Sequence, residues 1–381
     1  MKVAVLGDTH LGRSLYGYDM TPHIRRVMYR FFRFCVQNKV RRAVHLGDLF
    51  DSPKPSTRLL KIAFQWVNEF SRAGIALDVL VGNHDCHANG AIASALEPLK
   101  VAGVPLVRVV DRPTYIPCEA WTGERGALML PFPSSALYGL SGRWNDAIET
   151  CLDASLGLPF DLFCHLNITG ALLGDQEWTY RGGDHCLPYS LVERSNVRRV
   201  INGHIHKQQY LFDGSVFMPG AALRLRFGES LNPTVFCLLD AEEMTVEAVE
   251  TLRLYHIKID ARSMTSTTEV LTEVKDQIAD LSSKREGGID GLVKVSPVVD
   301  DLSAISWGEV ERCLYDEGAD HVVIESPQWQ TKSPAQESTT EQPRKTVNDT
   351  VKKWIVDNLE GREERREVYR KFLGLKRRAE D

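Results

Sequence analysis

Five short stretches of the sequence place acidic, amide and imidazole side chains directly after apolar runs. They read GDTH from position 7, GDLFD from 47, GNHD from 82, DLFCH from 161 and GHIH from 203. Alternate residues of an extended segment point the same way, so Asp8 and His10 can address one metal ion. By the same spacing, His204 and His206 can address two neighbouring ions, one each. Any one stretch could be a structural turn, but five in succession indicate a single site.

The types of these side chains indicate the chemistry of that site. Carboxylate and amide oxygens with imidazole nitrogens, and no sulfur, suit Mn²⁺, Fe²⁺ or Zn²⁺ better than calcium or a structural zinc cluster. Seven ligands are too many for one ion and about right for two ions that share the carboxylate of Asp48. The candidate ligands are Asp8, His10, Asp48, Asn83, His165, His204 and His206. The sequence has no nucleophilic Ser or Cys motif and no Walker loop, which favours direct attack by water and argues against ATP hydrolysis.

Predicted strands position these side chains. The strands cover residues 3–6, 43–46, 77–81, 161–164 and 199–202. A glycine such as Gly47 lets the chain turn sharply and brings the next side chain to the carboxyl end of the sheet, where open α/β folds bind ligands. Helices are predicted between the strands at 21–36, 56–72, 90–101 and 146–156. The pattern predicts an α/β domain over residues 1–254.

The rest of the chain divides into three predicted parts. Residues 255–330 read as a small α+β module with helices at 268–281 and 307–316 and strands from 256, at 292–295 and at 321–325. Residues 331–345 are rich in Ser, Thr, Gln and Pro, which indicates a flexible linker. Residues 346–381 form helices with apolar stripes, which either pack back on the body or bind a partner protein's helices.

Charge and composition narrow the function classes. A net charge of -5 and a pI near 6.2 give no bulk electrostatic reason for nucleic-acid binding, so any DNA contact must come from a local patch or from metals. The eight cysteines include no CxxC pair, which indicates free thiols in a reducing compartment. With no signal-peptide core and no membrane span, we expect a soluble, cytoplasmic protein, in the host cytoplasm if a phage encodes it.

The series of motifs resembles the calcineurin-like metallophosphoesterases. Leu11 and Gly12 after GDTH, the extended run GDLFDSPKPS and the stretch GNHD are most similar to the SbcD-type recombination and repair nuclease subunits, including the phage-type small subunits. The resemblance covers about residues 1–240 by specific motifs and the remainder by architecture alone. It implies an α/β fold with a β-sandwich flanked by helices, a small α+β capping domain and a C-terminal helical tail.

The resemblance also implies roles for individual residues. The first metal would be held by Asp8, His10, Asp48 and His206, and the second by Asp48, Asn83, His165 and His204. His84 would be a non-ligand histidine that contacts the scissile phosphate and protonates the leaving oxygen. Asp51 would hold the imidazole of His84 in its charged form, and Asp85 is the competing candidate for this role. Two divalent ions are expected, with Mn²⁺ preferred and Mg²⁺, Fe²⁺ or Zn²⁺ as alternatives.

By the same resemblance the chain would be a DNA nuclease subunit, a double-strand exonuclease and single-strand endonuclease. It would act with an SbcC-like ABC ATPase, bound through the C-terminal helices, in DNA recombination, repair or replication. A homodimer would form through helices near 56–72 and 90–101. The DNA-contact candidates, each with solvated surface as the alternative reading, are Arg13, Tyr16, Lys54, Arg58 and His87.

Two other readings stay open at this point. One is a small-molecule phosphodiesterase or protein phosphatase of the same superfamily, against which the capping module and the helical tail argue. The other is a catalytically silent scaffold subunit. That reading is hard to reconcile with a sequence in which every ligand position is filled.

Overall fold

The structure is a computed structural model that describes residues 1–86, 94–133, 141–173, 178–179, 186–240, 243–282, 291–299, 305–326 and 328–329. These residues belong to one compact unit, Met1–Gln330. The predicted linker and C-terminal helices lie in Thr331–Asp381, outside the described residues. His87 and residues 90–93 also lie outside them, and the described part of the helix predicted at 90–101 becomes helical only at Glu97.

The described elements alternate along the chain as the hydrophobic pattern predicts. The strands are β1 (Val3–Leu6), β2 (Ser14–Leu15), β3 (Tyr18–Asp19), β4 (Arg42–His45), β5 (Ala76–Leu80), β6 (Val107–Val110), β7 (Thr114–Ile116), β8 (Gly126–Leu130), β9 (Phe160–Cys164), β10 (Leu172–Leu173), β11 (Trp178–Thr179), β12 (Val197–Asn202), β13 (Gln209–Leu211), β14 (Val216–Met218), β15 (Val235–Leu239), β16 (Met244–Ala248), β17 (Leu254–Asp260), β18 (Leu292–Val299), β19 (His321–Ile324) and β20 (Gln328–Trp329). The α-helices are α1 (Thr21–Gln37), α2 (Thr57–Arg72), α3 (Glu97–Ala102), α4 (Ser141–Ala154), α5 (Tyr189–Val192), α6 (Thr267–Ser282) and α7 (Trp307–Asp316).

Two six-stranded sheets form the centre of the molecule. The first has the order β16-β15-β1-β4-β5-β6, and the second has the order β13-β14-β12-β9-β8-β7. Strands β1, β4, β5 and β6 run parallel, as do β8, β9, β12 and β14, so their carboxyl ends share one edge in each sheet. The sheets pack face to face through one apolar cluster that includes Val5, Val44, Phe163, Ile201 and Phe217.

Helices cover the outer faces of the sandwich. Helix α1 has proline in its first turn, and the side chain of Ser56 caps α2 by accepting a hydrogen bond from Leu59 N. Both helices bury an apolar stripe against the first sheet, and the indole nitrogen of Trp66 donates to the carbonyl of Met28 (2.8 Å). Helices α4 and α5 cover the second sheet. The predicted α/β sandwich flanked by helices is confirmed.

Residues 254–329 add a third sheet with its own apolar core. Strands β17, β18 and β19 are parallel, and β20 also pairs with β18. Helices α6 and α7 pack on this sheet through Val270, Val274, Val310 and Leu314. The helices match the predicted 268–281 and 307–316 to within one residue, and β18 runs four residues further than the predicted 292–295. Because the strands are parallel and alternate with the helices, this module is α/β rather than the predicted α+β. The domain boundary at 254–255 stays a prediction.

Helix α4 begins at Ser141, five residues before the predicted start at 146. The prediction left out Trp144, which packs in the same apolar cluster as Ile148 and Leu152 at a spacing of four residues. All eight cysteines are free. Among the described helices, none combines the length and the apolar character required to cross a bilayer.

Candidate active site

Loops from both sheets meet at the shared carboxyl edge of the strands. The loop after β1 is tied to the loop after β4, because His10 N donates to the carbonyl of Asp48 (2.9 Å) and Leu11 N donates to that of Leu49 (2.8 Å). In the second sheet, Gly203 N donates to the carbonyl of Cys164 (2.9 Å). The parallel sheets therefore bring all five motif stretches to one place.

Three motif glycines make this convergence sterically possible. A Cβ atom on Gly47 would lie 2.3 Å from Nδ1 of His165, and one on Gly82 would lie 2.1 Å from Oδ1 of Asp48. On Gly203 it would lie 2.7 Å from Oδ1 of Asp8. Each glycine thus gives room to a candidate ligand that another motif supplies.

Three of the candidate ligands have a left-handed backbone. The φ angles are 49° at His10, 51° at Asp48 and 68° at His204. Non-glycine residues adopt this region rarely and at a cost of order 1–3 kcal/mol, and such strain clusters at functional sites. The fold therefore tolerates a strained backbone at these three residues, and this backbone directs their side chains inward.

The first cluster consists of Asp8, His10 and His206, whose ligand atoms lie within 4.8 Å of one another. Nε2 of His10 is 3.2 Å from Nε2 of His206, which is itself 3.7 Å from Oδ2 of Asp8. Two imidazole nitrogens and a carboxylate that converge in this way can hold one divalent ion.

The second cluster consists of Asp48, His165 and His204, which satisfy the same 4.8 Å criterion. The amide oxygen of Asn83 joins it, 3.1 Å from Nε2 of His165 and 2.8 Å from Nδ1 of His204. Oδ2 of Asp48 lies 3.5 Å from Nε2 of both His10 and His165. Asp48 therefore stands between the clusters, in the position of a bridging carboxylate.

The carboxylate of Asp8 provides a test of whether a cation fits this site. The side chain is fully buried, and neither oxygen has a hydrogen-bond partner among the described residues. Burial raises the pKa of Asp8. A buried, unsatisfied carboxylate is costly unless a positive charge compensates it. The donor set and this orphaned carboxylate both fit a metal ion.

The buried imidazoles respond to their surroundings in opposite directions. Burial lowers the pKa of His204 to about 3 and also lowers that of His10. At His165 burial also acts to lower the pKa, but Asp48 and Asp8 outweigh it and raise the value to about 9. The field of the two carboxylates is therefore strong enough to hold positive charge at the centre of the site.

Each candidate histidine ligand has a partner for its second ring nitrogen. Nδ1 of His10 donates to Asp51 (3.2 Å), and Nδ1 of His206 donates to Glu229 (2.9 Å). In the second cluster, His165 Nδ1 donates to the carbonyl of Leu46 (2.7 Å), and His204 Nε2 donates to the side-chain oxygen of Asn167 (2.8 Å). Such partners fix the ring orientation and the tautomer of a metal ligand.

His84 lies at the centre of the arrangement, half-buried. Its backbone nitrogen donates to Oδ1 of Asp48 (2.8 Å), and its ring meets that of His10 edge-on at 4.6 Å between centroids. Nδ1 donates to the backbone carbonyl of Asp51 (3.0 Å), which leaves Nε2 as the available ring nitrogen. The carboxylate of Asp51 instead faces His10 and Arg13, so Asp51 holds His84 through its backbone rather than through the expected side chain.

Residues 1–208 match the calcineurin-like phosphoesterase family, which is more than half of the chain. The chain belongs to this family. Members of the family use divalent metal ions, and the two clusters of this phosphoesterase are candidate sites for them.

Curated relatives of this phosphoesterase include nuclease subunits. It is 23% identical over 329 residues to exonuclease subunit 1 of Enterobacteria phage T4, an alignment that covers 82% of this chain and 88% of that protein. It is 28% identical over 81 residues to the DNA double-strand break repair protein Mre11 of Sulfurisphaera tokodaii, and 27% identical over 89 residues to that of Methanococcus maripaludis. Those two matches cover about a fifth of this chain, and 21% and 23% of the archaeal proteins.

Asp85 supports the loops of this phosphoesterase from below. The buried carboxylate accepts hydrogen bonds from the backbone nitrogens of Gly82 (2.9 Å), Phe50 (3.0 Å) and Leu49 (3.3 Å). Burial raises the pKa of Asp85 to about 7. Its oxygens are thus directed at the backbone, where they join the second and third motifs, and not at the ring of His84 as the competing expectation required.

The DNA-contact candidates occupy different surroundings. Arg13 is partly buried and pairs with Asp51 at 3.5 Å. Lys54 is exposed, and exposed Arg58 pairs with Asp19 at 3.5 Å. Tyr16 faces the α/β module of residues 254–329: its hydroxyl accepts from Lys294 (3.1 Å), and its carbonyl accepts from His321 (3.1 Å).

Sequence reasoning did not find Glu229 or Asn167. Asn167 lies two residues after His165, so the alternation that links Asp8 with His10 could have indicated it. Glu229 lies 23 residues after His206 in a short 3₁₀ helix and carries no local signal.

Proposed function

We propose that this phosphoesterase is a two-metal DNA nuclease subunit with double-strand exonuclease and single-strand endonuclease activity. The observation that carries the proposal is the pair of clusters on either side of Asp48, with His84 beside them. The nuclease relatives support DNA as the substrate, because their names describe an exonuclease subunit and DNA double-strand break repair proteins.

The side chains divide into two sets of four around the shared Asp48. Asp8, His10, Asp48 and His206 would hold one ion, and Asp48, Asn83, His165 and His204 would hold the other. When bound, two divalent ions neutralise the phosphate and make a water molecule nucleophilic near neutral pH. The mixed oxygen and nitrogen donors suit Mn²⁺, Fe²⁺ and Zn²⁺, and among these we propose Mn²⁺ for both positions, as the resemblance to the SbcD-type nucleases implies. Mg²⁺, Fe²⁺ and Zn²⁺ are the alternatives.

His84 would act as the general acid. Its Nδ1 is engaged by the carbonyl of Asp51, so Nε2 can donate a proton to the oxygen that leaves the phosphorus. The hydrogen bond from its backbone nitrogen to Asp48 fixes the distance between this acid and the metal cluster. The ring is thus held at the site without being needed as a ligand.

Cleavage of end-labelled DNA tests the proposal. With Mn²⁺, the wild-type chain is expected to shorten duplex DNA from its ends and to cut single-stranded DNA internally. His84→Ala should lower the rate by about 10²- to 10⁴-fold, the usual contribution of a general acid, while Mn²⁺ binding remains. His23→Ala is the matched control. His23 lies in the first turn of α1, outside both clusters, and its side chain forms a hydrogen bond with the hydroxyl of Tyr18.

Three outcomes would contradict the proposal. Hydrolysis of a nucleotide phosphodiester without cleavage of DNA would favour a small-molecule phosphodiesterase or phosphatase. Full activity of His84→Ala would remove the assigned role of His84. No Mn²⁺ uptake and no cleavage by the wild-type chain would instead favour a silent scaffold subunit.

We further propose that the chain acts with an SbcC-like ABC ATPase through residues 346–381, in DNA recombination, repair or replication. The description of the phage T4 relative as a subunit supports a partner. A homodimer through helices near 56–72 and 90–101, and action in the cytoplasm of a cell or phage host, complete this proposal. Co-purification of the ATPase with the full chain, and its loss on deletion of 346–381, would test the partner; light scattering would test the dimer.

The proposed DNA contacts come from Arg13, Tyr16, Lys54, Arg58 and His87. Because Tyr16 is held by Lys294 and His321, it would act through the α/β module of residues 254–329, which we propose as the DNA-holding cap.

A further inference from the structure

The outer surface formed by α1 and α2 is strongly basic in a protein whose net charge is -5. The two helices carry seven arginine and lysine residues and one carboxylate, Glu69. The basic residues, all exposed, are Arg25, Arg26, Arg30, Arg33, Arg58, Lys61 and Arg72. Helix α1 contains no acidic residue at all. The local patch that a DNA contact would require is therefore present on this face.

A groove runs between the two helices, and we call it the α1–α2 groove. One end is lined by Thr21, Pro22 and Arg58, and the other by Tyr29, Asn68 and Arg72. Arg25, Lys61 and Gln65 line both parts, so the groove is continuous. The guanidinium of Arg25 lies over the ring of Tyr29 at 5.5 Å, which holds the charge at the groove wall.

Few of these charges are neutralised. Arg58 pairs with Asp19 at 3.5 Å, and Arg72 pairs with Glu69 at 3.8 Å. Within the described part of the chain, Arg25 and Lys61 form no ion pair with a carboxylate. Exposed pairs such as those of Arg58 and Arg72 are weak, so a phosphate can compete for these arginines.

The α1–α2 groove begins beside the metal clusters. Both helices start where the chain leaves the carboxyl edge of the first sheet, so their N-terminal ends, which carry the positive ends of the helix dipoles, lie at that edge. A Cβ atom on Gly12, two residues after His10, would lie 2.5 Å from Cδ1 of Leu59. The first turn of α2 thus packs directly on a metal-binding loop.

We propose that the α1–α2 groove binds the phosphate backbone of one strand of the DNA duplex that the active site cleaves. This inference rests on the proposed nuclease function. It also requires that the proposed homodimer contact α2 on the side turned away from α1, so that Arg58, Lys61 and Arg72 stay accessible in the groove. Arginine and lysine side chains on a sequence-independent track are the expected partners of phosphate oxygens. Helix α1 has 17 residues and is therefore about 25 Å long, so the groove can contact several consecutive phosphates of one strand. A bound strand would enter the site from the N-terminal ends of both helices.

The salt dependence of duplex binding tests the proposal. Binding of a labelled duplex of about 30 base pairs, long enough to fill the groove, is measured with the full chain in EDTA, so that no cleavage interferes. The triple variant Arg25→Gln, Lys61→Gln, Arg72→Gln should lower the slope of log affinity against log salt by about two to three. It should also weaken binding at about 50 mM salt by at least about tenfold.

A second triple variant controls for total charge. Arg143→Gln, Arg194→Gln, Arg198→Gln removes the same number of exposed positive charges from the half of the molecule that carries the second sheet, and should leave the slope unchanged. Circular dichroism melting shows whether each variant folds. An equal slope for the wild type and the groove variant would overturn the proposal and favour an acidic protein surface as the occupant of the groove. That outcome would leave the nuclease proposal intact if the wild type still cleaves DNA, whereas a wild type that neither binds nor cleaves would refute both.

Discussion

The two clusters that share Asp48 differ in what lies behind their imidazoles. In the first cluster, both histidines donate to carboxylates, His10 to Asp51 and His206 to Glu229. In the second cluster, both donate to neutral oxygens, the carbonyl of Leu46 and the side chain of Asn167. The clusters thus have similar ligands but differ in the groups that accept hydrogen bonds from the second ring nitrogens of the histidines.

This difference changes the charge that each cluster offers to a cation. The carboxylates of Asp51 and Glu229 lie behind the first cluster, and Asp8 is one of its ligands, although Oδ1 of Asp8 also lies 3.8 Å from Nδ1 of His165. Asn83 supplies a neutral oxygen to the second cluster. A carboxylate behind an imidazole makes the ring a stronger donor and stabilises positive charge on it. We therefore expect the first cluster to bind its ion more tightly than the second.

Removal of the shared carboxylate should have the largest effect, because it alone serves both clusters. Asp48→Asn is expected to lower Mn²⁺-dependent cleavage by about a thousandfold or more, since it removes several kcal/mol of charge stabilisation. Equilibrium dialysis should show that the uptake of both ions is weakened. If one ion bound with wild-type affinity, Asp48 would belong to a single cluster, and the two clusters would not share a carboxylate.

Removal of a ligand that belongs to only one cluster should allow the ion of the other cluster to be observed alone. His204→Asn is expected to leave one tightly bound Mn²⁺, and His206→Asn is expected to leave one weakly bound Mn²⁺, because each change spares the other cluster. Titration followed by electron paramagnetic resonance measures stoichiometry and affinity without reference to activity. Equal affinities of the remaining ions in the two variants would show that the carboxylates behind the first cluster do not matter.

Exchange of the supporting groups should have a smaller, graded effect. Glu229→Gln keeps the shape of the side chain but removes its charge, and loss of such a partner typically weakens metal binding about 10- to 100-fold. The loss should be confined to the tighter of the two ions. Asn167→Asp places a charge behind His204 and is expected to strengthen the weaker ion. Circular dichroism verifies that both variants are folded, and a uniform loss at both ions in Glu229→Gln would contradict the assignment.

Most of the fold and the convergence of the candidate ligands could be predicted because their signals are local. A short apolar run, a glycine and a polar residue recur within each stretch, and parallel strands bring their carboxyl ends to one edge. His165 lacks the glycine that precedes the others, yet its place after β9 was sufficient.

The parts that escaped prediction depend on backbone direction or on distant segments. Whether the carboxylate or the carbonyl of Asp51 faces His84 is decided by the backbone of the loop after β4, where Asp48 has a φ of 51°, and composition does not reveal that angle. The same loop turns its backbone amides toward Asp85. The carboxylate of Asp85, predicted as a candidate partner of His84, therefore accepts hydrogen bonds from the backbone of Leu49 and Phe50 instead. Glu229 reaches His206 from a 3₁₀ helix that no spacing rule connects to GHIH.

Asp8 allows the smallest of these effects to be measured in the metal-free protein. Its buried oxygens have no hydrogen-bond partner among the described residues, whereas Asp48 accepts a hydrogen bond from the backbone of His84. The imidazoles of His165 and His206, at 3.8 and 3.7 Å, offset the cost of burying this carboxylate only in part, because its pKa stays raised by burial. A neutral amide removes that cost, so Asp8→Asn should stabilise the chain in EDTA by about 1 kcal/mol, or roughly 2 °C in Tm. The same variant should lose most of the rise in Tm that Mn²⁺ gives the wild type, because ligand binding stabilises only what it binds. Differential scanning calorimetry with and without Mn²⁺ measures both. A variant that melts lower than the wild type in EDTA would show that the charge of Asp8 is already compensated within the protein. Asp8 would then give no reason to expect a cation in the first cluster.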